Sequence, residues 1–421
     1  MPCLSRLLRL KHRNPLPLSR VFSSPSPSPS PSPSPSPSSL TASSPSPSPS
    51  PSPPPSSPSR PSVKSILKDL FEETDLQNLV RKFKSSSQSY RFRCKHRIYS
   101  VTVRRLASAG LHDSIADILD HQKHFPDIST EGFAVRLIAL NGESGMFDHA
   151  RDLFDELPQL NCPRTTKSFN ALLTAALDSQ LFSKVPELFD TLPSKISVKP
   201  DVFSYSILIQ AWCKMGSLDS AVSALEIMEL NGVRPSLITF NLLLNGLYTG
   251  SRFSDAEKLW FKMEEYNCVP DIISYNERLR GLVLEGKTEE AVKLVGEFGN
   301  RGLKPNVFSF NSLIKGYCND GNLEEAKRVL SELVKNDCAP NRRTFETLIP
   351  CACEKGDLDL AVKLCKECMN RRCFVDVQIV QSVVDALVRE SRVKDAKKLV
   401  ELGVSSGLRP QSGLKLPSGI E

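Results

Sequence analysis

The feature that most constrains this chain is a recurrence every 35 residues. Ala221, Ala256, Ala291, Ala326, Ala361 and Ala396 follow one another at that spacing. Pro200, Pro235, Pro270, Pro305 and Pro340 keep it as well, with Val375 in the next place and Pro410 after that. Tyr205, Phe240, Tyr275, Phe310 and Phe345 form a third row, and Gly216, Gly286, Gly321 and Gly356 a fourth. Several residue classes in one register mark an array of identical structural units, which decides the fold class before any propensity does.

Each unit reads as two short helices. In 237–271, Phe240, Leu242, Leu243, Leu244 and Leu247 recur at helical spacing and stop near Gly250. A polar turn follows, in which Ser254 with Asp255 suits an N-cap, and a second run continues through Ala256, Leu259, Trp260 and Met263. It ends at Asn267, ahead of Pro270. The small alanine early in the second helix lets the first approach closely. One such hairpin cannot bury its own apolar face, so neighbours must stack, and the expected fold is all-α, a solenoid of about nine helix-turn-helix repeats. Units fall at 202–236, 237–271, 272–306, 307–341, 342–376 and 377–411, with less regular ones at 166–201, about 130–165 and about 96–129. Residues 62–95, with Ile66, Leu67, Leu70, Phe71, Leu76 and Leu79 on an apolar face, read as N-terminal capping helices. Residues 412–421 read as a C-terminal tail, which leaves 96–411 as the array.

Composition separates the array from what precedes it. Of 32 prolines, 19 lie in residues 1–61. Residues 24–61 are a near-pure Ser/Pro alternation that lacks the apolar content to offset ordering entropy, so they read as a disordered spacer. Residues 1–23 interleave Leu4, Leu7, Leu8 and Leu10 with Arg6, Arg9 and Lys11 and hold no acid, the pattern of an organellar presequence. Arg20-Val21-Phe22 before Ser23 resembles a mitochondrial processing site, which favours the mitochondrial matrix over the plastid. The first 68 residues carry eight cations and no acid, so the net charge of +7 belongs to the leader and the remainder sums to −1. A near-neutral body gives no electrostatic case for polyanion binding. No apolar run reaches the ~18 residues of a membrane span.

The register also carries a family resemblance. Val202-Phe203-Ser204-Tyr205-Ser206, then Trp212-Cys213-Lys214-Met215-Gly216, Ala221, and the closing Asn231-Gly232-Val233-Arg234-Pro235 are similar to the pentatricopeptide repeat. So are Ile272-Ile273-Ser274-Tyr275-Asn276 and Val307-Phe308-Ser309-Phe310-Asn311. Units uniformly near 35 residues resemble the P class of that family, in a small plant mitochondrial form. The resemblance implies a right-handed superhelix and a single-stranded RNA reader using about one base per repeat.

In that family two side chains set base identity: the residue after the first-helix aromatic and the last residue of the repeat. Carried over, the pairs are Asn170 with Asp201, Ser206 with Ser236, Asn241 with Asp271, Asn276 with Asn306, and Asn311 with Asn341. A primary amide offers donor and acceptor together, an Asp partner is acceptor-only and favours uracil, and an Asn partner relaxes this towards cytosine. The implied reading, 5′ to 3′, is U, undefined, U, C/U, C/U. Glu346 with Asp376 and Gln381 with Gln411 depart from the pattern. Residues three before each reading position, Lys167, Phe203, Ile238, Ile273 and Phe308, are implied to sandwich the bases, and the aliphatic ones should stack less well. The same resemblance implies a phosphate-binding lysine eight residues past the reading position. Only Lys214 supplies it; the equivalents are Asp178, Thr249, Leu284, Asn319 and Glu354. Phosphate contacts dominate affinity, so weak autonomous RNA binding is expected. The cluster Arg91, Arg93, Lys95, Arg97, Arg104 and Arg105 is either an RNA clamp or a solvated surface.

Catalytic and metal chemistry is not indicated. Cys351, Cys353, Cys365, Cys368 and Cys373 have suggestive spacing, but Cys213, Cys318 and Cys353 are register equivalents, as are Cys268, Cys338 and Cys373, which points to small buried side chains repeated with the unit. No phosphate loop, His-Glu-x-x-His or deaminase signature occurs. Glu289-Glu290 and Glu324-Glu325 stand at second-helix starts, where they suit the helix dipole. The chain therefore reads as a non-enzyme without cofactors. Two functions fit: occupancy of a mitochondrial transcript, affecting its metabolism or translation, or a structural place in the small subunit of the mitochondrial ribosome, against rRNA and ribosomal proteins. A tetratricopeptide-type protein-binding solenoid conflicts with the 35-residue period.

Overall fold

Helix starts fall where the repeat register puts them. The computed structural model describes residues 62–373, 375–406 and 414–415; the expected presequence (1–23) and spacer (24–61) lie outside the described residues, as do Pro410 and Gln411. Helices α1 (Val63–Glu72), α2 (Leu76–Ser86) and the short α3 (Tyr90–Arg93) precede nine hairpins. These are α4 (His96–Ser108) with α5 (His112–Gln122), α6 (Glu131–Glu143) with α7 (Phe147–Glu156), α8 (Thr166–Asp178) with α9 (Lys184–Ile196), and α10 (Val202–Lys214) with α11 (Leu218–Leu230). Then come α12 (Leu237–Thr249) with α13 (Phe253–Glu265), α14 (Ile272–Leu284) with α15 (Thr288–Glu297), and α16 (Val307–Asn319) with α17 (Leu323–Lys335). The last two are α18 (Arg342–Glu354) with α19 (Leu358–Asn370) and α20 (Val377–Arg389) with α21 (Val393–Ser405). The described chain is all-α, and none of its helices is long and apolar enough to cross a membrane.

Local chemistry sets the boundaries. From α8 to α18 each first helix starts behind an extended residue, Thr165, Asp201, Ser236, Asp271, Asn306 or Asn341, whose side chain caps it. A Ser or Thr three residues on returns a hydroxyl to the cap N–H, completing a capping box that satisfies two otherwise orphaned donors. The turn after the first helix needs a left-handed residue. Gly216, Gly286, Gly321 and Gly356 supply it with φ of 75°, 79°, 68° and 75°, while Ser251 and Ser391 take the same register place at 59°. The expected cap at Ser254 and Asp255 is corrected. The second helix begins at Phe253 behind Arg252, the register place at which every second helix from α11 to α21 starts, and Asp255 lies inside its first turn, engaged by the Arg252 guanidinium at 2.6 Å. Arg252 also reaches back 2.6 Å to Asp219 of the preceding repeat, and Arg392 repeats the device towards Asp359 at 2.7 Å.

The recurrent alanines, Ala221 to Ala396, are all buried, as are the first-helix aromatics Tyr205, Phe240, Tyr275, Phe310 and Phe345. Consecutive first helices pack against one another from α6 to α20, whereas second helices mostly touch only first helices. The first-helix row is thus the short, inner rail of the solenoid. Small residues allow this. A Cβ on Gly246 would fall 2.3 Å from the Cys213 sulfur and one on Gly281 2.1 Å from the Tyr248 ring. Between α6 and α8 the approach is backbone to backbone, since a Cβ on Gly142 would lie 2.4 Å from Cα of Ala175.

Candidate nucleic-acid interface

The capping boxes do a second job on the inner rail. Asn170, on the second turn of α8, donates from Nδ2 to Oδ1 of Asp201 at 3.1 Å and accepts at Oδ1 from the Ser204 hydroxyl at 2.5 Å. Asn241 does the same with Asp271 (3.3 Å) and Ser274 (2.6 Å). Asn276 does so with Asn306 (3.2 Å) and Ser309 (2.6 Å), and Asn311 with Asn341 (3.1 Å) and Thr344 (2.7 Å). Four of the five pairs picked out in the sequence are therefore in direct contact across a repeat boundary. The fifth is not: Ser206 bonds its own helix at the Val202 carbonyl and Ser236 bonds Thr239, because two hydroxymethyl groups cannot span the gap. Sequence reasoning missed Ser204, Ser274, Ser309 and Thr344, which orient the amides. Their signal was available as a Ser/Thr row three residues after each cap.

This bonding dictates what each pair can offer a ligand. The cap oxygen Oδ1 of Asp201, Asp271, Asn306 and Asn341 is occupied by helix N–H groups. That contact also orients the two Asn amides, because the oxygen has to face the N–H donors. The remaining atom is Oδ2, an acceptor, in Asp201 and Asp271, and Nδ2, a donor, in Asn306 and Asn341. Burial pushes the Asp201 carboxyl up, but hydrogen bonds from Ser204, Asn170 and Phe203 outweigh it and hold the group below the usual carboxylate range, so it stays an acceptor.

Residues three before the reading positions stand on the same helix face. Phe203, Ile238, Ile273 and Phe308 are 59%, 65%, 54% and 58% exposed, and Lys167 is exposed too. Apolar side chains held open at 35-residue intervals form platforms spaced with the amide pairs. Lys214 is exposed at the C-terminal end of α10. Its equivalents offer phosphate little: Thr249 accepts from Arg280 at 3.0 Å, Leu284 is an exposed hydrocarbon, and burial pushes the Asp178 carboxyl up.

The N-terminal basic cluster divides into two cations held inside the fold and four on its surface. Arg93 is buried, paired with Asp127 at 2.6 Å, donating to the Ser87 carbonyl and stacked 4.3 Å over Phe125. Arg105 donates to the Leu70 and Glu73 carbonyls, tying α4 to the end of α1. These two staple the cap; Arg91, Lys95, Arg97 and Arg104 are exposed. Among the cysteines, Cys351, Cys365 and Cys368 are buried, burial pushes the Cys365 thiol up, and the Cys368 thiol donates to the Cys373 carbonyl at 2.6 Å. They behave as packing groups.

Residues 200–249, 270–319 and 305–354 match the PPR repeat family model, and 136–162 and 238–268 match the PPR repeat model. Two small ribosomal subunit proteins of Arabidopsis thaliana, mS79 (rPPR3b) and mS78 (rPPR3a), are 42% identical over 178 residues and 43% over 177. A pentatricopeptide repeat-containing protein of the same plant, named mitochondrial, is 35% identical over 202 residues, or 48% of this chain and 51% of that one. The alignments to mS79 and mS78 each span 42% of this chain and 44% of the relative, so the chain covers less than half the length of these curated relatives.

Proposed function

From the premise that this chain is a pentatricopeptide repeat protein, we propose that it binds single-stranded RNA in the mitochondrial matrix and acts by occupancy, without catalysis. The observation that carries this is the row of hydrogen-bonded amide pairs between exposed platforms. The free edge of Asn with Asp is a donor beside an acceptor, which complements the O4 and N3–H of uracil. The free edge of Asn with Asn is two donors, which complements N3 and O2 of cytosine. Along the array this reads U at Asn170/Asp201, no selection at Ser206/Ser236, U at Asn241/Asp271, and C at Asn276/Asn306 and Asn311/Asn341. Phe203, Ile238, Ile273 and Phe308 serve as stacking platforms, on the order of 1–3 kcal/mol per base for the aromatic ones. Lys214 meets phosphate.

A second reading rests on the similarity to mS79 and mS78: the solenoid is a subunit of the small mitochondrial ribosomal subunit and holds rRNA and ribosomal protein together. The sparse lysine track favours it, because a subunit held by many partners does not need high affinity for free RNA. Fluorescence anisotropy with labelled UAUCC against GAGAA oligoribonucleotides tests the base reading, with tighter binding of the first expected. Sedimentation of mitochondrial lysate with and without RNase separates the two roles. Co-migration with the small subunit marks the ribosomal one, and RNase-sensitive light complexes mark transcript binding. Equal affinity for both oligonucleotides would remove the reading of bases by these pairs.

A further inference from the structure

The four bonded pairs share one geometry, and the repeats on either side break it in different ways. On the N-terminal side the reading position is Val135, which has no hydrogen-bonding group. The place of the missing amide is taken by Glu131 at the first turn of α6. Its Oε1 accepts from the Thr165 N–H at 3.1 Å, the Thr165 hydroxyl at 2.7 Å and the Ser168 N–H at 3.2 Å. The cap that would present an edge to a base is thus wholly engaged by a carboxylate of its own chain. The helices on both sides of it, α6 and α8, are also the pair in backbone contact at Gly142 and Ala175.

On the C-terminal side the sixth interval sets Glu346 and Asp376, two acceptors, where the others set a donor. Glu346 is already held by Arg342 at 2.5 Å. At the seventh, the reading amide of Gln381 is paired on both edges with the main chain of one residue. Its Oε1 accepts from the Lys415 N–H at 2.9 Å and its Nε2 donates to the Lys415 carbonyl at 2.9 Å. That is the donor and acceptor pairing a nucleobase edge would make, supplied instead by main chain, with Leu414 buried beside it.

We propose that the base-reading track is bounded at both ends by the protein itself: Glu131 closes it before Asn170, and the main chain at Lys415 occupies the last reading position as a surrogate for a base. This rests on the RNA reading above and confines base reading to the intervals from Asn170/Asp201 to Glu346/Asp376, at most six nucleotides, the sixth of which faces two acceptors. RNA beyond them is held without regard to its bases.

The test uses the full chain and labelled oligoribonucleotides built on UAUCC, extended by one nucleotide at the 5′ end or two at the 3′ end, with each base in turn at the outermost position. The expected result is a spread of Kd below twofold among the four bases at either extension. A preference of fivefold or more at the 5′ extension overturns the Glu131 boundary, and at the 3′ extension the Lys415 one. The triple variant Glu131→Val, Val135→Asn, Thr165→Asp rebuilds the missing pair and should prefer uridine at the 5′ extension about tenfold. Truncation after Gln411, which removes Lys415 and leaves Gln381 with its register partner, should create a base preference at the outer 3′ nucleotide. Helical content by circular dichroism shows that each variant folds, and a folded variant without the new preference counts against the boundary it tests. The scan on the unaltered chain decides the matter by itself if a variant does not fold. Failure of UAUCC to bind better than GAGAA overturns the RNA reading instead, a result separable from a misplaced boundary.

Discussion

On the proposed function, the discriminating atoms of this array are the ones left over after helix capping. In Asp271 one carboxylate oxygen receives the N–H groups of Ile273 and Ser274 and the Asn241 amide, so only Oδ2 faces outward. In Asn306 the same inner oxygen does the same work and the outward atom is nitrogen. A single substitution should therefore change the letter without changing the scaffold. Asp271→Asn keeps the cap and turns the outward acceptor into a donor, so the third nucleotide preference should move from U to C by about tenfold, on the scale of 1–3 kcal/mol for a charge-assisted hydrogen bond. Anisotropy with UAUCC and UACCC measures it, and an unchanged preference would show that the outward atom does not meet the base. The sequence made the pairs legible through their register. It did not make legible the atom each pair presents, because that depends on Ser274 and its equivalents holding the amide in one orientation.

At the level of helices and turns, most of the architecture could be read from periodicity, since the starts at Val202, Leu237, Ile272, Val307, Arg342 and Val377 coincide with the unit boundaries. The second-helix start in 237–271 could not, because Ser254 and Asp255 look like capping residues whereas the start shared by the units, here Phe253, follows Arg252 with no capping side chain. The fate of Arg93 was hidden for a different reason: its partner Asp127 is 34 residues away. The turns carry a prediction. Ser251 holds a left-handed conformation at φ 59° in the place that Gly216 and Gly286 fill elsewhere. An L side chain there costs about 1–2 kcal/mol, partly offset by its lower entropy in the unfolded chain. Ser251→Gly should therefore stabilise the protein by about 0.5–1 kcal/mol, seen as a higher midpoint in thermal or urea denaturation followed by circular dichroism. A lower midpoint would mean that the serine makes a compensating contact.

For the whole molecule, charge and shape pull apart. On the reading proposed above, the inner rail presents bases with partners, yet it offers few cations for the backbone that carries them. Counting Lys214 as the phosphate contact, the logarithm of the binding constant should fall with the logarithm of salt at a slope of about −0.7 for a single strand. Titrations between 50 and 300 mM potassium chloride measure it, and a slope steeper than about −3 would show that Arg91, Lys95, Arg97 and Arg104 also engage. The bond from the Ser274 hydroxyl to Asn241, and its counterparts along the rail, has a further outcome. Each letter of the code is also a rivet between two neighbouring units, so erasing Asn241 would loosen the joint that sets how far apart the next two platforms stand. A wrong nucleotide at one place should then be felt as strain at its neighbour, and errors in adjacent letters should cost less together than the sum of their separate penalties.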